Sequence, residues 1–239
     1  MQYQGGKVKI AKQIAEIINR NTDTNTTFVS LFCGVASVEA KVNAGCKILN
    51  DAHPYLIAMW KDAQAGREFP SVVSEADYHY IKAHQDDDMG LAGFVGFACS
   101  FAGKWWGGYA RDSRGMNYAE VFLRSLNNAI LALKPATFYN LDYMQVEIPR
   151  GAIIYCDPPY ANTTGYQGTE SFDEKTFWEY MRELSKDHLV FISEQRAPDG
   201  FVSIWETTKK RTMDVNKSTH FEAEEHLFIH ESNLPRIKR

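Results

Sequence analysis

The spacing of apolar residues changes twice within the first fifty positions. Ile10, Ile14, Ile17 and Ile18 recur at helical intervals in KVKIAKQIAEIINR, which predicts an amphipathic helix ending before the Asn/Thr-rich NTDTNTT. FVSLF, residues 28 to 32, is instead a short unbroken apolar run, typical of a strand buried on both faces. The turn Cys33-Gly34-Val35-Ala36 follows, SVEAKVNA reads as a helix that Gly45 caps, and KILND reads as a second strand with Asp51 at its C-terminal end. Together these make a βαβ unit.

From about residue 52 to 135 the periodicity loosens into helical stretches, PYLIAMWKDA and EVFLRSLNNAILAL, around a middle rich in aromatic residues and glycine. Strand patterns return in ATFYNLDY, AIIYCDPPY, HLVFIS, VSIWET and EHLFIHE, the first two separated by Pro149 and Gly151. The expected architecture is therefore α/β. Residues 1–60 and 135–239 form a Rossmann-like core, and 61–134 form an inserted, mostly helical region.

Composition narrows the class. The chain has 239 residues, 44% hydrophobic, 13% aromatic and 23% charged, which suits one α/β domain with a smaller insertion and disfavours disorder. The most apolar run, LAGFVGFACSFAG, falls short of the ~20 residues that span a bilayer. MQYQGGKVKI lacks the apolar core of a signal peptide, so a cytoplasmic protein with no membrane partner is expected. Cys33, Cys46, Cys99 and Cys156 include no C-x-x-C pair, His79 and His84 are five apart, and no H-E-x-x-H occurs. No metal site is expected.

A net charge of −4 does not mark a dedicated nucleic-acid binder, but positive charge gathers locally. Lys104, Arg111 and Arg114 lie in GKWWGGYARDSRG, Lys209-Lys210-Arg211 form a cluster, and the sequence ends in RIKR. In a doubly wound sheet, ligands bind outside the carboxyl ends of the strands, where a glycine lets backbone approach and an acid about 20 residues on accepts from ribose hydroxyls. Gly34 and Asp51 stand in that relation, although G-V-A lacks the second glycine of a dinucleotide loop and a glycine turn after a strand is common.

Asp157-Pro158-Pro159-Tyr160 closes the run AIIYCDPPY and lies where such a sheet opens to its ligand. Neither proline can donate to a sheet ladder, and both fix φ. An exocyclic amine on a nucleobase is a poor nucleophile while its lone pair is delocalised into the ring. The Asp157 carboxylate can accept one of its N–H groups and the Pro158 carbonyl the other, drawing the hydrogens out of the ring plane. Tyr160 offers a face for stacking a base that has left its helix. A proline turn with a solvent-facing Asp and a packed Tyr is the structural alternative.

These residues resemble the Dam-type, D12-class DNA adenine-N6 methyltransferases, in which a D-P-P-Y motif holds the target amine. The resemblance runs in the family's own order along nearly the whole chain. Tyr3-Gln4-Gly5-Gly6-Lys7 resembles the opening W/Y-x-G-G-K, which implies that Tyr3 and Lys7 reach S-adenosylmethionine. The stretch from Phe28 through Phe32 and Gly34 to Ala36 resembles the loop at the methionine end of that cofactor. Leu49-Asn50-Asp51 resembles the segment whose Asp holds the ribose, and Leu141-Asp142-Tyr143 the stretch beside the adenine. Ser30 and Leu31 depart from the family's acid and proline, and Ala36 from its glycine.

The resemblance implies a Rossmann-like methyltransferase sheet, S-adenosylmethionine as cofactor, double-stranded DNA as partner, no metal, and adenine N6 methylation with the base flipped out. Asp157, Pro158 and Tyr160 would be catalytic, with Asp157 also adjoining the cofactor. It also implies target recognition in the inserted region. There Arg111 and Arg114 are candidates for base edges, Lys104 for DNA contact, and Trp105, Trp106 or Tyr109 for a wedge into the vacated stack. The alternative is that the aromatics pack a small core while the arginines touch only phosphate. Cytosine N4, adenine in RNA, or a catalytically silent DNA-binding module are the competing functions; Asp157 disfavours a glutamine-amide substrate, for which the first motif residue is typically Asn.

Overall fold

A computed structural model describes residues 1–239 except 2, 4, 114, 160–171, 213–219 and 239, and leaves out the side chains of 209–212 and 220–223. Helix α1 (Ala11–Asn19) leads into strand β1 (Thr27–Ser30), and β2 (Cys46–Asn50) pairs with it in parallel. Helices α2 (Pro54–Gln64), α3 (Glu75–Ala83), α4 (Met89–Ala98) and α5 (Tyr118–Leu133) fill the long connection to β3 (Ala136–Tyr139). Strand β4 (Ile153–Cys156), helix α6 (Glu174–Asp187) and β5 (Leu189–Glu194) follow, and β6 (Phe201–Thr212) and β7 (His220–His230) close the chain as a long antiparallel pair. The seven strands lie in the order β3-β2-β1-β4-β5-β7-β6, with β5 and β7 antiparallel. This is a doubly wound α/β sheet that ends in an antiparallel pair at one edge.

Strand alternation sends successive side chains to two cores. Phe28, Tyr155, Phe191, Leu227 and Ile229 face the side of α1, α2, α4 and α5, whereas Val29, Leu31, Ile154, Val190 and Ile192 face α6. Each buried Ile, Leu or Phe contributes roughly 1.5–3 kcal/mol, which is why the five central runs read as strands from sequence. The apolar run around Phe94 is helix α4, buried nearly all round, where Gly93 and Gly96 admit the Tyr55 backbone and the Trp105 ring at distances a Cβ would forbid.

One expected element is different. SVEAKVNA is not a full helix: it contains only a single 3-10 turn, Glu39–Lys41. Val38, Glu39 and Val42 are all buried while Lys41 and Asn43 are exposed, so the carboxylate of Glu39 is turned inward with the apolar residues. Gly45 does not cap it; a Cβ there would lie 1.9 Å from the Thr24 carbonyl oxygen, so the glycine serves a close backbone crossing.

Candidate active site

The strand order reverses between β1 and β4, and the crevice outside their carboxyl ends is where a doubly wound sheet binds its ligand. The chain leaves β1 between its two neighbours. The Leu31 N–H donates to the Tyr155 carbonyl (3.2 Å) and the Cys33 N–H to the Asn50 carbonyl (2.8 Å). Gly34 has φ +49°, and a Cβ on it would stand 3.3 Å from Tyr3 Cε1. Ala36 also occupies the left-handed region, at φ 52°. A non-glycine residue is held there at a cost of about 1–2 kcal/mol, so the turn keeps a glycine-like backbone without the glycine of the resembling family.

The polar residues of the β2 end are tied to backbone. Asp51 accepts from the Gly34 N–H and the His53 N–H, both at 2.9 Å, while burial raises its carboxyl pKa. Buried Asn50 donates to the carbonyls of Leu31 and Leu141, each at 3.1 Å, and accepts from the Leu141 N–H at 3.0 Å. It clamps together the loops after β1 and β3. Trp60 Nε1 donates to the Gly34 carbonyl at 2.9 Å, and its ring stacks on Phe138. Asn50 and Trp60 were not expected as site residues; the only sequence signal was a polar side chain at the end of an apolar strand.

At the end of β4, Asp157 is partly exposed and Pro158 is buried. Lys7, only 3% exposed, donates from Nζ to Asp157 Oδ1 at 2.6 Å and stands 3.2 Å from Glu225 Oε1. Two further carboxyls adjoin. Buried Glu39 accepts from Ser30 Oγ at 2.8 Å. Burial, opposed by its hydrogen bonds and abetted by Asp157, pushes the Glu39 carboxyl up to about 7. Burial does the same to Glu194, also to about 7, with the Gln195 N–H and Lys7 opposing and Glu225 and Asp157 adding. Tyr160 lies outside the described residues.

Beside this, Phe32 and Tyr143 have ring centroids 5.2 Å apart and adjoin Phe172 and Phe177, making an aromatic wall. Burial pushes the Tyr143 hydroxyl up to about 12. Asp142, exposed, caps the short 3-10 turn Tyr143–Gln145 by accepting from the Met144 N–H at 2.8 Å. Tyr3 belongs to the core on the other face of the sheet, its ring 5.3 Å from Phe97.

The aromatic middle of the chain has a different character. Trp105 and Trp106 are 9% and 8% exposed. Trp105 packs against His53, Tyr55 and Phe97, and Trp106 donates from Nε1 to Gln85 Oε1 at 2.8 Å. Tyr109 donates to the Val73 carbonyl at 2.7 Å. The structure thus places both tryptophans in the interior, away from the surface position that a wedge requires, because Gly96 opens the face of α4 to Trp105. Lys104 is exposed, and Arg111, also exposed, pairs with Glu75. Arg114 and the side chains of Lys209-Lys210-Arg211 lie outside the described residues. Among the described residues no three His, Cys, Asp or Glu side chains gather as metal ligands, and no helix is long and apolar enough to cross a membrane.

In fold, the chain is similar to an rRNA methyltransferase, aviRa, from Streptomyces viridochromogenes, at 12% identity and TM-score 0.44, covering 97% of this chain and 88% of that one. It is similar to the tRNA methyltransferase TrmI from Aquifex aeolicus at 10% identity and TM-score 0.38, covering 93% and 69%. A third similar structure, a putative methyltransferase complexed with SAH, has 14% identity and TM-score 0.38, covering 94% and 52%. No curated protein sequence matches the chain. Residues 3–89, which hold the N-terminal glycines, the β1 turn and the Asp51 strand end, match the family model of the D12 class N6 adenine-specific DNA methyltransferases.

Proposed function

We propose that this chain methylates the exocyclic N6 amine of adenine in double-stranded DNA, using S-adenosylmethionine and acting on a base turned out of the duplex. The observation that carries this reading is the position of Asp157: it follows β4 directly, at the point where the strand order reverses, with an ammonium 2.6 Å from one oxygen. The residues beside it suit the cofactor. A carboxylate has about four lone-pair sites, so Asp51, which uses two on backbone, has capacity for ribose hydroxyls. Phe32 and Tyr143 offer flat apolar surface for an adenine, and Gly34 leaves room for close approach. When bound, S-adenosylmethionine supplies a methyl made electrophilic by its positive sulfur.

The protein's part is orientation and charge. Asp157 accepts one N–H of the target amine and the Pro158 carbonyl the other, which localises the lone pair on nitrogen. The Lys7 ammonium favours the ionised form of Asp157, and that carboxylate stabilises the amine as it becomes cationic. The surplus proton then leaves to Asp157 or to water. Recognition of DNA falls to the connection between β2 and β3, where Lys104 and Arg111 are the described candidates. The test is to incubate the purified protein with unmethylated duplex DNA and isotopically labelled S-adenosylmethionine, digest, and identify the labelled nucleoside. N6-methyladenine is expected; label in N4-methylcytosine, or in RNA alone, contradicts the proposal.

A further inference from the structure

One buried acid at the site belongs to a part of the chain that no motif covers. In β7, Leu227 and Ile229 face the α1 side of the sheet, and alternation assigns residue 225 to the same face. An apolar residue is expected in that register. Glu225 is there instead, and it is 4% exposed. Because β7 runs antiparallel to β5, with Glu194 opposite His226, residue 225 sits level with the carboxyl ends of the parallel strands. A buried carboxylate persists only when it is paired, and Glu225 stands 3.2 Å from the same Lys7 ammonium that donates to Asp157.

We infer that Glu225 is a positioning residue for methyl transfer: it fixes the Lys7 ammonium against Asp157 and so keeps Asp157 ionised and aimed. The inference rests on the reading of Asp157 as acceptor for the target amine. Among the described residues, the groups that face Asp157 are Lys7 ahead of α1, Glu225 on β7, Glu194 at the end of β5, Glu39 on the 3-10 turn, and Tyr155 on its own strand. Among the described residues, Lys7 is the ammonium that stands among these four carboxyls. The Lys7 ammonium contacts Asp157 and Glu225 directly, whereas Glu39 accepts from Ser30 Oγ and Glu194 from the Gln195 N–H. Two contacts define the position of an ammonium far better than one, since a lysine has four rotatable bonds to immobilise.

The test compares Glu225→Gln and Glu225→Ala in methyl transfer to unmethylated duplex DNA, from pH 5 to 9, with thermal unfolding of each variant as a check of folding. Glu225→Gln keeps an oxygen acceptor for Lys7 but removes a negative charge near Asp157, so turnover at neutral pH stays within about threefold and the acid limb of the kcat profile moves to lower pH. Glu225→Ala removes the acceptor as well as the charge, so turnover falls about tenfold because the Lys7 ammonium loses one of the two contacts that fix it. Wild-type turnover in Glu225→Ala overturns the inference, as does an acid limb that moves upward in Glu225→Gln. Should Glu225→Ala fail to fold, Glu225→Gln decides alone, and an acid limb that stays in place or rises in it overturns the inference. Asp157→Asn is the separating control: if it retains wild-type turnover, the reading of Asp157 has failed, whereas if it is inactive beside wild-type-like Glu225 variants, only the role of Glu225 has failed.

Discussion

At the carboxyl edge of the sheet, polar side chains are turned inward and fastened to backbone; in the stretch from Lys104 to Arg111, Trp105 and Trp106 are turned inward while Lys104 and Arg111 face out. Asp51, Asn50 and Trp60 each bond a main-chain group of the turns after β1 and β3. Trp105 and Trp106 are buried in a hydrophobic cluster, whereas Arg111 pairs with another exposed charge, Glu75. A buried polar group is costly unless bonded, so the first region is rigid and specific about residue type. An exposed ion pair is worth about 0–1 kcal/mol, so the second can exchange its charges with an incoming polyanion at small cost.

Mutation should expose that contrast, and the largest effect is expected at a residue that looks like an interface from sequence. Trp105→Ala empties a ring-shaped space against His53, Tyr55 and Phe97, and should lower stability by about 3–5 kcal/mol in denaturant unfolding. A loss below 1 kcal/mol would return Trp105 to the surface and reopen its use as a wedge. Glu39→Gln should act next most strongly, and only above mid-acid pH. The Glu39 carboxyl is held at about 7 in the fold, above its ordinary 4.5. Below pH 4.5 it is protonated in both states and has no effect. As pH rises to 7 the unfolded chain gives up that proton while the fold retains it, which removes stability on the order of 3 kcal/mol that stays lost at higher pH. The Gln variant should therefore match the parent near pH 4 and unfold at a higher temperature at pH 8; equal melting at both pH values would place Glu39 in water. Arg111→Ala should be the mildest, changing stability by under about 1 kcal/mol. It should weaken DNA binding and reduce the salt slope by about one if the contact is to phosphate, or relax preference at one base pair if it is to an edge. Unaltered binding on both counts removes Arg111 from the interface.

Most of the sheet was legible because its strands are buried on both faces: FVSLF, KILN, IIYC and HLVFIS carry no alternation to confuse with a helix. The Asp157 tetrapeptide and the Gly34–Asp51 relation were legible for another reason, since prolines, a glycine turn and an acid at strand ends are local features. What stayed hidden depends on side chains from distant segments. Glu39 looked like one face of a helix until Val38 and Val42 turned inward with it, and Glu225 looked like one of several acids in FEAEEH although it occupies a core register. Lys7 was expected to reach the cofactor, and its contacts to Asp157 and Glu225 span sequence separations of 150 and more. The burial of the tryptophans was hidden too, because GKWWGG supplies glycines on both sides and nothing local announces that Gly96 opens a slot for the ring.

The central claim is that Asp157 handles the target amine while the cofactor is held mainly from β1, β2 and the N-terminal segment. Asp157→Ala, assayed for methyl transfer to unmethylated duplex DNA and for S-adenosylmethionine affinity by calorimetry on one preparation, separates those roles. The account predicts that transfer falls at least about a hundredfold while cofactor affinity and melting temperature stay near those of the parent. Transfer within a few-fold of the parent, or loss of cofactor binding in step with activity, would contradict it.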